Sequence, residues 1–153
     1  MEVAELAVPE DAGDLRIAVA VAEFNAEVTE GLLAGALECL EKAGVRQVTV
    51  VRAPGAFELP LLARRLATGH DAVVALGAVI KGETDHYEYI CDATTRGLMD
   101  ATLEAEVPVT FGVLTVRDPD HARARSRPGP SNKGAEAAEA AVAAALTLRA
   151  LDG

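Results

Sequence analysis

Apolar positions along the chain switch repeatedly between a strand-like and a helix-like rhythm. Ile17, Val19 and Val21 sit in a β-branched, Ala-rich run over 14–22 that has the length of a strand. Val28, Leu32, Leu33, Ala36, Leu37 and Leu40 then recur at helical spacing, and Gly44 supplies a stop. A second strand is predicted over 45–51, punctuated by Pro54-Gly55, with a short helix over 58–68 that ends at Gly69. The run 71–80 is almost wholly apolar and predicts a third strand, followed by a long helix over 84–106 and a fourth strand over 107–116. A short helix over 118–126, the loop Arg127-Pro128-Gly129-Pro130-Ser131 and an Ala-rich helix over 133–151 complete the chain. Residues 1–13 have little periodicity and predict an extended arm; 14–153 predict a single domain.

Strands alternate with helices, and the third and fourth strands lack polar alternation, so both of their faces should be covered. That pattern belongs to a parallel sheet between helices. With right-handed crossovers it gives a three-layer αβα sandwich with a four-stranded parallel sheet, flavodoxin-like in class.

Composition narrows the partners. Half of the 153 residues are apolar, but Trp is absent and there are only two Tyr and three Phe, so Ala, Val and Leu must fill the core. Small side chains bury little area each, and such a chain gains stability by covering faces with copies of itself. A net charge of -10 argues against nucleic acid and against an anionic membrane, since both need clustered Lys and Arg. A small anion needs only a few local donors. Arg117, Arg123, Arg125, Arg127 and Lys133 lie close together, as a solvated face or as a local positive field. Cys39 and Cys91 form no paired motif and fall in helical patterns, as half-buried thiols of a reducing compartment would. With no leader-like segment and no uncharged run of spanning length, a soluble cytoplasmic protein is expected.

In an open parallel sheet the ligand crevice lies at the carboxyl ends of the strands. The third exit, Lys81-Gly82-Glu83-Thr84-Asp85-His86, runs straight into the long helix. Thr84 or Asp85 can cap that helix, and Asp85 with Glu88 fits a capping box. The same segment also suits an anion, because glycine permits close approach and free N–H groups favour phosphate. His86 in the first turn is a candidate proton carrier near neutral pH. The second exit, Pro54-Gly55-Ala56-Phe57-Glu58, is either a plain turn into a helix or a set of N–H groups and a carboxylate suited to hydroxyls. Phe24 stands at the first exit, where a flat heterocycle could stack. Phe111 defaults to core, and His70 and His121 to ordinary surface. No metal-ligand spacing connects the histidines, and no GxGxxG, GxxxxGK[ST] or GxSxG motif is present.

The exits together resemble the lumazine synthase family. The resemblance rests on Ala-Glu-Phe-Asn at 22–25, Pro-Gly-Ala-Phe-Glu-Leu-Pro at 54–60 and Gly-Ala-Val-Ile-Lys-Gly-Glu-Thr-Asp-His-Tyr-Glu-Tyr-Ile at 77–90. Phe-Gly-Val-Leu-Thr at 111–115, His-Ala-Arg-Ala-Arg at 121–125 and Asn-Lys-Gly at 132–134 extend it to the C-terminal helix. It implies a cofactor-free condensation of 5-amino-6-(D-ribitylamino)uracil with 3,4-dihydroxy-2-butanone 4-phosphate. On that resemblance the uracil stacks on Phe24, while Ala56, Phe57 and Glu58 hold the ribityl chain with Asn25 nearby. Ala78, Val79 and Ile80 read the pyrimidine. Glu83, Thr84 and Arg125 take the phosphate, and His86 carries protons. Phe111, Arg125 and Lys133 are expected from a neighbouring subunit, so the resemblance implies a homo-oligomer, at least a pentamer, with an icosahedral shell as one form. Riboflavin synthase stands among the candidate partners.

Three positions depart from the family pattern. Lys81 stands where the family usually has Arg and lacks the bidentate fork, His121 replaces a frequent Gln, and the 127–131 loop differs from that of many shell formers. The competing readings are a riboflavin synthase of similar fold, a receiver-type signalling module and a non-catalytic flavin carrier. The first has no phosphorylated substrate to match Thr84, His86 and Arg125. The second would need an acidic cluster where strand three instead exits through Lys81.

Overall fold

The computed structural model describes residues 1–153. Four strands, β1 (Arg16–Ala22), β2 (Gln47–Ala53), β3 (Ala72–Ile80) and β4 (Val109–Val116), form one parallel sheet in the order β2-β1-β3-β4. Five helices flank it: α1 (Ala26–Lys42), α2 (Leu59–Ala67), α3 (His86–Ala105), α4 (Pro119–Ser126) and α5 (Lys133–Asp152). A 3₁₀ turn, Ala56–Glu58, leads into α2. The architecture is the three-layer αβα sandwich of flavodoxin-like class.

The pleat of β1 sorts its side chains by size. Ile17, Val19 and Val21 point to the layer of α1, α4 and α5, where they meet Leu32, Ala36, Leu40, Val74, Leu76 and Ala141. Ala18, Ala20 and Ala22 point to the layer of α2 and α3, with Val73, Ala75, Leu59, Ala63 and Leu98. Small strand residues bring that second layer in close. A Cβ on Gly97 of α3 would sit 2.8 Å from the Pro60 ring of α2, so glycine permits this approach. On the other side, α5 crosses α1 where a Cβ on Gly134 would collide with the Leu32 carbonyl oxygen.

Some boundaries differ from the sequence reading for identifiable reasons. The second strand starts at Gln47, two residues late. Gly44 adopts φ +86° and donates to the Glu41 carbonyl, while Val45 donates to Leu40. Val45 therefore closes α1 in a Schellman motif and is not free to pair. The helix predicted from residue 58 begins as the 3₁₀ turn. β4 is an edge strand: only Gly112 to Leu114 are buried, and Thr115 is exposed. β3 alone is covered throughout, with eight of its nine residues buried. The Asp85–Glu88 capping box does not form. Asp85 precedes α3 without a side-chain cap bond: its backbone is already helical (φ -73°, ψ 0°), Glu88 N donates to its carbonyl at 3.0 Å, and the Glu88 carboxylate lies 2.8 Å from Lys81. Residues 1–10 are exposed and carry no regular structure. No helix is long and apolar enough to cross a membrane.

Candidate active site

The sheet order creates the site. β1 is followed by α1 in one layer and β3 by α3 in the other, and the last β1–β3 pair is Val21 with Leu76. β3 continues four residues beyond that pair while β1 turns away, which opens a crevice at the carboxyl ends. It is a cleft of about 770 Å³, large enough for a drug-sized ligand.

Hydrogen bonds fix its rim. Glu23 N donates to Ala53 O at 2.8 Å and Phe24 N to Pro54 O at 3.1 Å, so the first exit is zipped to the second. Asn25 adopts a left-handed conformation with φ 63° and donates from Nδ2 to Ala78 O at 2.8 Å, tying the first exit to the third. A strained backbone at a cleft is a common companion of function. From α3, the buried Thr94 hydroxyl donates to Ala56 O at 3.4 Å and holds the 3₁₀ turn in place. Glu58 Oε1 accepts from Gly55 N at 3.0 Å, leaving its other oxygen for a ligand hydroxyl.

The end of β3 offers a defined backbone edge. Val73 N and Lys81 N both donate towards β4, to Pro108 O and Val116 O. Strand amides alternate in direction, so odd residues face β4 and even residues face the β1 side. Ala78 and Ile80 therefore present their peptide groups to the cleft, with the Ala78 carbonyl already held by Asn25. Val79 offers side-chain surface only.

Two aromatic rings stand open at this crevice in a chain almost without aromatics. Phe24 is 71% exposed and Phe57 61%. Exposed rings beside a concave apolar surface can serve as stacking platforms for a flat ligand. At the far wall, α3 begins without a side-chain cap, whereas α4 and α5 are capped by Asp118 and Asn132. Thr84, His86 and Gly82 line the cleft there; His86 N donates to Thr84 Oγ1 only at 3.4 Å and Glu88 N to Asp85 O, so an anion could meet the amides of His86 and Tyr87. The Lys81 ammonium beside Glu88 holds that carboxyl below its ordinary range. Burial, and then the neighbouring Cys91, push the Tyr87 phenol above its ordinary value. No group of three His, Cys, Asp or Glu side chains is placed to share an ion.

Ten of the residues expected from the sequence line this one cleft: Phe24, Asn25, Ala56, Phe57, Glu58, Ala78, Val79, Ile80, Thr84 and His86. Glu83, Phe111, Arg125 and Lys133 do not. Glu83 is exposed at the loop, and Phe111 is half-buried against the α2–α3 layer. Arg125 donates to His121 O at 3.1 Å, and Lys133 pairs with Glu136 at 3.1 Å. Pro54, Gly55 and Gly82 of the second and third exits also line the cleft, as do Tyr87 and Ile90, which had no role assigned. Ile90 lies four residues beyond His86, so helical periodicity was a usable signal for it.

Comparison with known proteins decides what this geometry belongs to. The family model described as 6,7-dimethyl-8-ribityllumazine synthase matches residues 14–149. This chain belongs to the lumazine synthase family. Among its relatives, the 6,7-dimethyl-8-ribityllumazine synthase of Kineococcus radiotolerans is 53% identical over 142 residues, covering 91% of this chain and 88% of the relative. The enzyme of the same name from Salinibacter ruber is 49% identical, covering 90% and 91%. That of Mycobacterium avium is 46% identical, covering 92% and 89%.

Proposed function

We propose that this chain condenses 5-amino-6-(D-ribitylamino)uracil with 3,4-dihydroxy-2-butanone 4-phosphate, giving 6,7-dimethyl-8-ribityllumazine with release of phosphate and water, in riboflavin biosynthesis. The observation that carries the reading is the single cleft in which Phe24, the 3₁₀ turn at Ala56 and the uncapped start of α3 with His86 converge. Family membership supplies the reaction class.

The roles follow the chemistry of each wall. The pyrimidine stacks on Phe24 with its polar edge against the backbone of Ala78 and Ile80. The ribityl hydroxyls meet the turn at Ala56 and Phe57 and the free oxygen of Glu58. The phosphate sits at Thr84 and the start of α3. The amine of the uracil attacks the ketone; loss of water leaves a Schiff base, phosphate then departs, and ring closure expels a second water. Both reactants are intrinsically reactive, so holding them together supplies much of the acceleration, worth ~7–11 kcal/mol in well-oriented systems. His86 moves protons between these steps, a contribution of about 10²–10⁴-fold.

Residues 14–153 act as one catalytic domain and 1–13 as an arm in this reading. The site is shared: Phe111, Arg125 and Lys133 reach it from a neighbouring copy in an assembly of at least five chains. Their absence from the cleft of their own chain supports that arrangement, as do the exposed Leu61, Met99 and Leu103 on α2 and α3. A cytoplasmic setting and riboflavin synthase as a partner rest on the family resemblance.

The deciding experiment mixes the purified protein with both substrates and follows the fluorescent lumazine and phosphate together. Stoichiometric appearance of both is expected, weakened in Arg125→Ala at low butanone phosphate. A folded, assembled sample that forms no lumazine overturns the reading.

A further inference from the structure

Lys81 is the last residue before the loop that carries Thr84, and Glu88 lies in the first turn of the helix after it. Their side chains meet across that loop at 2.8 Å. Lys81 is also fixed at its backbone, donating to Val116 O at 2.9 Å. The same ammonium lies 5.6 Å from the Tyr87 ring centre, and the Arg117 guanidinium of the β4 exit lies 5.9 Å from it. Tyr87 itself lines the cleft. Thus one ion pair closes the base of a short loop, and two cations hold the aromatic ring beside it. The loop has little else to shape it: a Cβ at Gly82 would meet nothing within 4 Å, and Thr84 makes only a 3.4 Å contact with His86 N.

We infer that the Lys81–Glu88 ion pair, seated on Tyr87 with Arg117, is a strap that positions the 82–85 loop so that Thr84 and the first turn of α3 are set for the phosphorylated substrate. Lys81 and Glu88 are positioning residues and touch no reacting atom. The inference rests on the proposed function for its substrate, and its loop component stands independently of it.

Glu88 makes the idea separable from a simple charge effect. If these side chains acted only through their fields, removing Glu88 would take a negative charge away from a phosphate site and lower KM. A strap predicts the opposite sign. The loss of Lys81 cannot discriminate in this way, since both accounts then predict a higher KM.

The test compares wild type with Glu88→Ala, Lys81→Met, Lys81→Arg and the double variant, all at positions open enough to preserve the fold. Glu88→Ala and Lys81→Met should each raise KM for the butanone phosphate about fivefold, the upper range for a half-exposed ion pair. Their kcat should stay within about twofold of wild type, Lys81→Arg should behave like wild type, and the double variant should resemble the singles because the pair acts as a unit. Hydrogen exchange followed by mass spectrometry should show faster exchange confined to 82–88 in both single variants. A lowered or unchanged KM in Glu88→Ala overturns the strap, as does unaltered exchange in that segment. If wild type forms no lumazine, the proposed reaction fails, and the exchange measurement still judges the strap.

Discussion

Asn132 shows how much one side chain can hold. It is 2% exposed, accepts from Ala135 N as the cap of α5, and aims Nδ2 at the carbonyls of Gly31, Ser126 and Arg127 at 3.1–3.2 Å. Its place in an Asn-Lys-Gly segment marked it from sequence, but its structural role was not legible, because three of its partners come from α1 and the α4 end. Asn132→Ala removes a cap and strands buried carbonyls, so a loss of about 2–4 kcal/mol is expected in equilibrium urea unfolding. His86 is the contrasting case, exposed at the cleft and, in the proposed reaction, a proton carrier with no structural load. His86→Ala should lower kcat by no more than about 10²–10⁴-fold and leave thermal stability near wild type. Complete inactivity of the folded variant would contradict a reaction driven largely by proximity. The failed capping box has two causes: Asp85 is already helical, so its carbonyl takes Glu88 N, and the Glu88 carboxylate pairs with Lys81.

Element ends were harder to place than elements, and the reasons lie in hydrogen bonds beyond local pattern. Val45 looks like strand but serves as the last donor to α1. The approach of α5 to α1 also lies beyond the reach of periodicity, since Gly134 reads as a mere helix-weakening residue until Leu32 is seen against it. Gly134→Ala should improve local helix propensity yet destabilise the protein by about 1–3 kcal/mol, read as a lowered melting temperature. A second link joins the beginning of β1 to the end of α5: Arg149 donates to Asp14 at 2.7 Å, and this bond holds the Asp14 carboxyl below its ordinary value. Its contribution is therefore present above the unfolded value of Asp14 and disappears as pH falls through the lower folded value. The stability difference between wild type and Arg149→Ala should accordingly be seen near neutral pH and vanish in acid. A difference that persists at about pH 2 would show that the link acts by packing and not by charge.

At the scale of the molecule, one topological fact organises the site: β1 and β3 send their chains to opposite layers, and the cleft opens between them. Within one chain that cleft brings together the exposed Phe24 ring, the 3₁₀ turn at Ala56 and the start of α3, while Arg125 stays at its own α4. Shared sites predict complementation. Co-refolding His86→Ala with Arg125→Ala should create wild-type sites at about a quarter of the interfaces in an equal mixture of a cyclic assembly. Activity above the average of the two separate variants is the expected result. A strictly averaged activity in proven mixed assemblies would place Arg125 outside a shared site.

The sequence alone determined the alternation of strands and helices, the parallel three-layer class and part of the cleft lining, because hydrophobic period and strand-exit chemistry are local properties. Phe24, Ala56, Phe57, Glu58, Thr84 and His86 were legible in the strand exits themselves, whereas Ala78, Val79, Ile80 and the part given to Asn25 came through the family resemblance. Tertiary structure decided what depends on long-range neighbours: β4 as an edge, Asn25 bound to Ala78, Thr94 beneath the 3₁₀ turn, and Lys81 paired with Glu88 across the loop. A side chain's propensity is written in its own identity, but its hydrogen-bond partner is selected by competition among all groups that folding brings within reach.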